Sequence, residues 1–125
     1  MDWRTLMINW KVTNGNVYIY DEVLKAIIAA SVEEIKGVAG LSPGFMEEII
    51  EGLGKRNHSK GIKISDKNQQ MIIDLYVIIE YGTKIPDLSW EIQQNVKRSM
   101  ENILNIKTSK VNINIQGVLF PNDSK

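Results

Sequence analysis

Along this chain the apolar residues switch between a period of two and a period near 3.6, and the switching sets out the elements. From Met71 to Tyr81 the alternation is nearly unbroken: Met71, Ile73, Leu75, Val77, Ile79 and Tyr81 share one side, and Ile72, Asp74, Tyr76, Ile78 and Glu80 share the other. Side chains of a strand point alternately to its two faces, so the segment reads as a long strand with one apolar and one mixed face. That is the pattern of an antiparallel sheet covered on one side. Shorter stretches follow the same rule. Leu6 to Val12 and Val17 to Tyr20 flank Thr13-Asn14-Gly15-Asn16, and Asn-Gly tolerates the positive φ angles of a tight hairpin turn. Gly61 to Ser65 reads as a strand leading into a turn at Asp66-Lys67-Asn68-Gln69. Lys110 to Val118 reads as the last strand, with Val111, Ile113 and Ile115 inward and Asn112, Asn114 and Gln116 outward.

The helical period appears in three places. Val23, Leu24, Ile27, Ile28, Ser31 and Ile35 mark a helix of about four turns. Asp21 is placed to cap its start and Gly37 its end. After the breaker Ser42-Pro43-Gly44, the residues Phe45, Met46, Ile49, Ile50 and Leu53 form a short amphipathic pattern with Glu47, Glu48 and Glu51 on its wet side. Ile85, Leu88, Ile92, Val96, Ser99 and Ile103 form a third stripe, and Pro86 suits a first helical turn, where its missing N–H costs nothing. The expected order is ββ-α-(α)-β-β-α-β. The fold class that follows is α+β, a two-layer domain with helices on one face of a mainly antiparallel sheet. There is no internal repeat or linker, so residues 1–125 are read as a single domain, with 121–125 a loose tail.

Composition narrows the function by exclusion. The chain has 125 residues, enough for one buried core. Fifteen basic and fifteen acidic residues give a net charge of zero, which argues against a general nucleic-acid binder. No cysteine is present, which removes disulfides and thiolate chemistry and fits a reducing cytoplasm. The uninterrupted apolar run Ala26 to Ala30 is far short of the ~20 residues that cross a bilayer, so no direct membrane insertion is expected.

No catalytic residue emerges. The single histidine, His58, sits in the loop KRNHSKG beside Ser59, but sequence neighbours rarely face each other as a base and a nucleophile do. Asp74 and Glu80 share a strand face about 20 Å apart, too far for paired acid–base work on one bond. Gly52-Leu53-Gly54-Lys55 lacks the length of a phosphate loop. We therefore expect no catalytic residues, no metal and no cofactor. Lys55, Arg56, Lys60 and Lys63 concentrate positive charge suited to RNA phosphates or anionic headgroups, although such runs usually face water. Trp90 lies far round the last helix from the Leu88/Ile92/Val96 stripe, which marks it as an interface anchor. Tyr18, Tyr20, Tyr76 and Ile78 are expected to populate the open sheet face and to add to the same contact surface.

Five separated pieces in order resemble the alkaline shock protein family, the envelope-stress proteins of Gram-positive bacteria. They are Asn16 to Val23, Ile35 to Leu41 (IKGVAGL), Lys60 to Ile64 (KGIKI), Leu75 to Gly82 with Ile85, and Val111 to Val118 (VNINIQGV). The resemblance covers roughly Gly15 to Phe120; the segment Met1 to Thr13, with Trp3 and Trp10, has no counterpart in it. Two positions depart from the family pattern: Tyr20 stands where a small polar residue is common, and Asn105 stands where glycine is favoured near the end of the last helix. The resemblance implies a non-enzymatic stress protein, cytoplasmic, held at the membrane periphery by a membrane-embedded partner, and prone to form homo-oligomers. It supplies no catalytic residues.

The reading carried forward is a scaffold or adaptor that works by self-association and by docking to a membrane-associated or envelope-associated protein. Two alternatives stand beside it. Gly37-Val38-Ala39-Gly40 between two helices resembles the GxxG loop of a KH domain, which clamps a nucleic-acid backbone; Gly37 and Gly40 with the Lys55–Lys63 loop would then contact RNA. The other is an accessory subunit that regulates a metabolic enzyme.

Overall fold

The alternating segment is the centre of the sheet in a computed structural model, which describes residues 8–12, 15–42, 61–67, 70–108 and 110–121. The strands are β1 (Ile8–Val12), β2 (Gly15–Ile19), β3 (Val38–Leu41), β4 (Ile62–Lys67), β5 (Gln70–Glu80) and β6 (Lys110–Leu119). The helices are α1 (Asp21–Glu33) and α2 (Ile85–Leu104). Strand β5 pairs antiparallel with β4 and β3 along one edge and parallel with β6 along the other. The α+β class and the broad order of elements agree with the sequence reading.

Strands β3 and β4 occupy one edge of β5 end to end. Register runs from Val38 opposite Ile79 to Leu41 opposite Val77, then from Ile62 opposite Leu75 to Lys67 opposite Gln70. Tyr76 spans the junction: its carbonyl accepts from Ser42 N at 2.7 Å, and its N–H donates to Gly61 O at 2.9 Å. The two pieces are thus one antiparallel edge from which residues 43–60 leave and to which they return. Gly61 permits the pinch. Its φ is +77°, and a Cβ there would lie 2.6 Å from Ser42 O.

The core forms where both helices cover one face of this sheet. Ile73, Leu75, Val77 and Ile79 of β5 are buried against Leu24, Ile28 and Val32 of α1 and Leu88, Ile92, Val96, Met100 and Leu104 of α2. Each such aliphatic side chain contributes about 1.5–3 kcal/mol of burial energy. α2 also serves as the crossover that the parallel β5–β6 pair requires. It ends on Asn105 in the left-handed conformation (φ 56°, ψ 38°), with Asn105 N donating to Glu101 O at 2.9 Å and Ile106 N to Met100 O at 3.1 Å. Asn105 thus takes the left-handed cap for which glycine is favoured in the resembled family.

Four local expectations are corrected. Val38–Leu41 is a strand, not part of a loop between helices. Hairpin β1–β2 is a separate two-stranded sheet and adds nothing to the open face of the main one. The N-cap of α1 is Tyr20, with no side-chain cap bond; Asp21 lies inside the first turn and pairs with Lys25 at 3.3 Å. The buried stripe of α2 runs through Met100 and Leu104, while Ile103 is 60% and Ile85 43% exposed. The short helix expected around Phe45 to Leu53 lies outside the described residues.

Candidate interaction surfaces

Three surfaces stand out among the described residues once the core is assigned. The first is the outer face of α2. Trp90 is 61% exposed there. Gln93 Nε2 donates to Val111 O at 3.0 Å, which sets that flank of α2 above β6. At 100° per residue Trp90 stands about 60° round from Gln93, so it projects on the β6 side of the helix layer.

The second is the open face of the main sheet. Residues directly paired across strands point the same way, so the rows can be read from the register. Lys63, Asp74 and Asn112 form one row, and Asn112 Nδ2 donates to Asp74 Oδ1 at 2.9 Å. Tyr76 and Asn114 form the next, with Asn114 Nδ2 donating to Leu75 O at 3.1 Å. Ser42 Oγ donates to Gln116 Oε1 at 3.0 Å across β5. Ile78 then lies between Gly40 on β3 and Gly117 on β6. A Cβ at Gly40 would meet nothing within 4 Å, so Ile78 sits on a floor with no walls on the β3 side. The face is mostly amides and hydroxyls, with Tyr76 and Ile78 half-buried in its middle.

The third is the far end of β5 and β6. Tyr81 and Phe120 stack with ring centroids 4.9 Å apart, and both are exposed. With Glu80, Leu119 and Pro121 they line a recess of about 280 Å³. Sequence reading missed this pair because Phe120 lies beyond the last alternating residue, and the parallel pairing of β5 with β6, extended by the Tyr81 N–H to Leu119 O bond, brings the two ends together.

The residues expected to form one surface are therefore dispersed. Tyr76 and Ile78 share the open face; Tyr18, 51% exposed, lies on the β1–β2 hairpin, and Tyr20, 54% exposed, precedes α1. Of the possible anion-contacting residues, Lys63 is exposed on β4 and Gly37 is buried, its carbonyl accepting from Glu80 N at 2.9 Å. Gly40 lies within strand β3. Lys55, Arg56 and Lys60 lie outside the described residues, as does His58. Among the described residues no cluster of His, Cys, Asp or Glu is arranged to hold a metal ion. No helix among them is long and apolar enough to cross a membrane.

Comparison with known proteins supplies what geometry does not. Residues 9–120 match the profile of a family described as having a cell envelope-related function. The uncharacterised protein YqhY of Bacillus subtilis is 31% identical over 106 residues, covering 85% of this chain and 78% of that protein. YloU of the same organism, also uncharacterised, is 28% identical over 119 residues, 94% of this chain and 99% of that one. A stress response regulator gls24 homologue of Streptococcus pyogenes is 21% identical over 102 residues, 81% of this chain and 57% of the homologue. Among solved structures, a MamM CTD variant aligns with a TM-score of 0.46 at 11% identity, over 77% of this chain and 94% of that domain.

Proposed function

This chain belongs to the alkaline shock protein 23 family, of cell envelope-related function, and from that premise we propose that it acts as a non-enzymatic scaffold or adaptor. It self-associates and docks to a membrane-associated partner. The observation that carries the reading is Trp90. A tryptophan 61% exposed on a helix whose other face is fully buried stands outside the core, and aromatic side chains of this kind are the usual anchors of protein contacts. The open sheet face, with Tyr76 and Ile78 at its centre, is the second contact surface. In this reading a protein partner places the chain at the envelope.

The test is affinity capture of the tagged full chain from its native lysate, with bound protein and bound RNA quantified together. Stoichiometric recovery of a membrane protein by the wild type, lost with Trp90→Glu, supports the reading. RNA enriched on the wild type and released at higher salt overturns it, because release by salt is the mark of phosphate contacts.

A further inference from the structure

The outer edge of β6 pairs with no strand among the described residues, and its polarity follows from the hydrogen bonds of its neighbour. Tyr76 directs both its N–H and its C=O toward Gly61 and Ser42, on the β3/β4 side. Main-chain groups alternate along a strand, so those of Ile73, Leu75 and Val77 turn toward β6. In a parallel ladder a residue bonds the two neighbours of the residue opposite it. Leu75 lies opposite Ile113, so Asn112 and Asn114 spend their main-chain groups on β5. Val111, Ile113 and Ile115 consequently turn theirs outward. The carbonyl of Val111 is taken by Gln93. Ile113 and Ile115 face outward at an edge that pairs with no described strand.

Sheets normally protect such an edge with charge. The opposite edge follows that practice, with Lys63, Asp66 and Lys67 on β4 and an interruption at Ser42 and Gly61. From Val111 to Leu119, β6 carries no charge at all, and its one irregularity against β5, a bulge at Gln116, falls after Ile115 and leaves Val111 to Ile115 in regular register. We propose that this edge pairs antiparallel with β6 of a second copy, about a twofold axis through Asn114, so that two sheets join into one with the helices on the same side. The sequence is self-complementary in that register. Ile113 falls opposite Ile115 of the other copy, and their outward groups exchange reciprocal main-chain bonds on each side of the axis. Asn114 falls opposite its own copy and Asn112 opposite Gln116, where the bulge of β6 begins; the three amides already hydrogen-bond within their own sheet, so main-chain bonds carry the joint. Lys110, the one charge on the strand, meets the far end of the other β6 rather than itself. Trp90, on the flank of α2 above this edge, stands beside the joint. The inference rests on the self-association reading above and names the surface that serves it.

The absence of native cysteine makes the test direct. Asn114 would form a non-hydrogen-bonded antiparallel pair with its copy, about 4.5 Å between Cα atoms, within the range a disulfide spans. Asn114→Cys in the full chain should cross-link to a dimer under mild oxidation, while Lys63→Cys on the opposite edge should not. Ile115→Pro removes an outward N–H that bonds no described strand, and should weaken dimerisation at least tenfold in sedimentation velocity with the thermal transition retained. Asn114→Arg, which sets like charges on the axis and keeps the strand's donors, should do the same and serves if the proline variant loses its transition. A wild-type dimer that neither cross-links at residue 114 nor responds to these changes overturns the edge pairing and leaves self-association standing. A wild type that stays monomeric overturns both.

Discussion

Ser31 on α1 and Ser99 on α2 place their hydroxyl oxygens 2.6 Å apart at the seam between the two helices. The pair belongs to a polar strip. Ser31 Oγ lies 2.9 Å from Ile27 O, and Asn95 Nδ2 donates to both Ser31 O and Glu34 Oε2 at 2.7 Å. The last carbonyls of a helix have no partner within it, and Asn95 of α2 satisfies one such carbonyl of α1. Ser99→Ala should cost about 0.5–1.5 kcal/mol, one net hydrogen bond. Asn95→Ala should cost about 1–3 kcal/mol, since it leaves a part-buried acceptor unpaired. Urea unfolding of the two variants and their double mutant checks the order; a smaller loss for Asn95→Ala would remove the carbonyl from the account.

The pinch at Gly61 should be far less tolerant than other glycine positions. Gly61→Ala puts a methyl group 2.6 Å from a backbone oxygen at a φ of +77°. The left-handed backbone alone costs about 1–2 kcal/mol, and the collision adds to it, so a loss above about 2 kcal/mol is expected. Gly40→Ala meets open space and should stay within about 0.5 kcal/mol of wild type. Thermal melts of the two variants side by side decide the matter, and equal losses would contradict the spliced edge.

Gly40 also offers a probe of the open face without damage to the fold. Gly40→Thr, in a strand position beside Ile78, raises a wall on the floor while suiting strand geometry. It should reduce recovery of a docked partner severalfold in the capture experiment at unchanged melting temperature. Full recovery would take the β3 side of that face out of the contact surface.

The α2 stripe yields a contrast between neighbours. Met100 is fully buried, whereas Ile103 is 60% exposed. Met100→Ala should cost about 2–5 kcal/mol, and Ile103→Ala about 0.5 kcal/mol or less. Denaturant midpoints measure both; the reverse order would restore the phase read from the sequence.

That phase error shows where a sequence stops being sufficient. Ser99 with Ile103 and Met100 with Leu104 are both four apart, so the helical period accepts either pair at the end of α2, and only the crossing of the helix over the sheet chooses. The alternation of β5 was legible because a strand buried on one face flips every side chain if its register slips by one. Strand β3 was not legible: Gly37 and Gly40 punctuate it like a turn, and its four residues become a strand only by pairing with β5. The parallel partner of β5 was equally hidden, since a period of two does not say which way a neighbour runs. The exposure of Trp90 was legible from its angle on the helix alone, while Tyr81 and Phe120 meet only through tertiary pairing.

Because Ser42 and Gly61 are both tied to Tyr76, the stretch between them is a closed circuit grafted onto an otherwise continuous ribbon. Closing such a circuit costs only about 0.6 kcal/mol more for each doubling of its length. A change in the length of that stretch should therefore leave the sheet in place, which makes it the natural site at which to install a reporter domain.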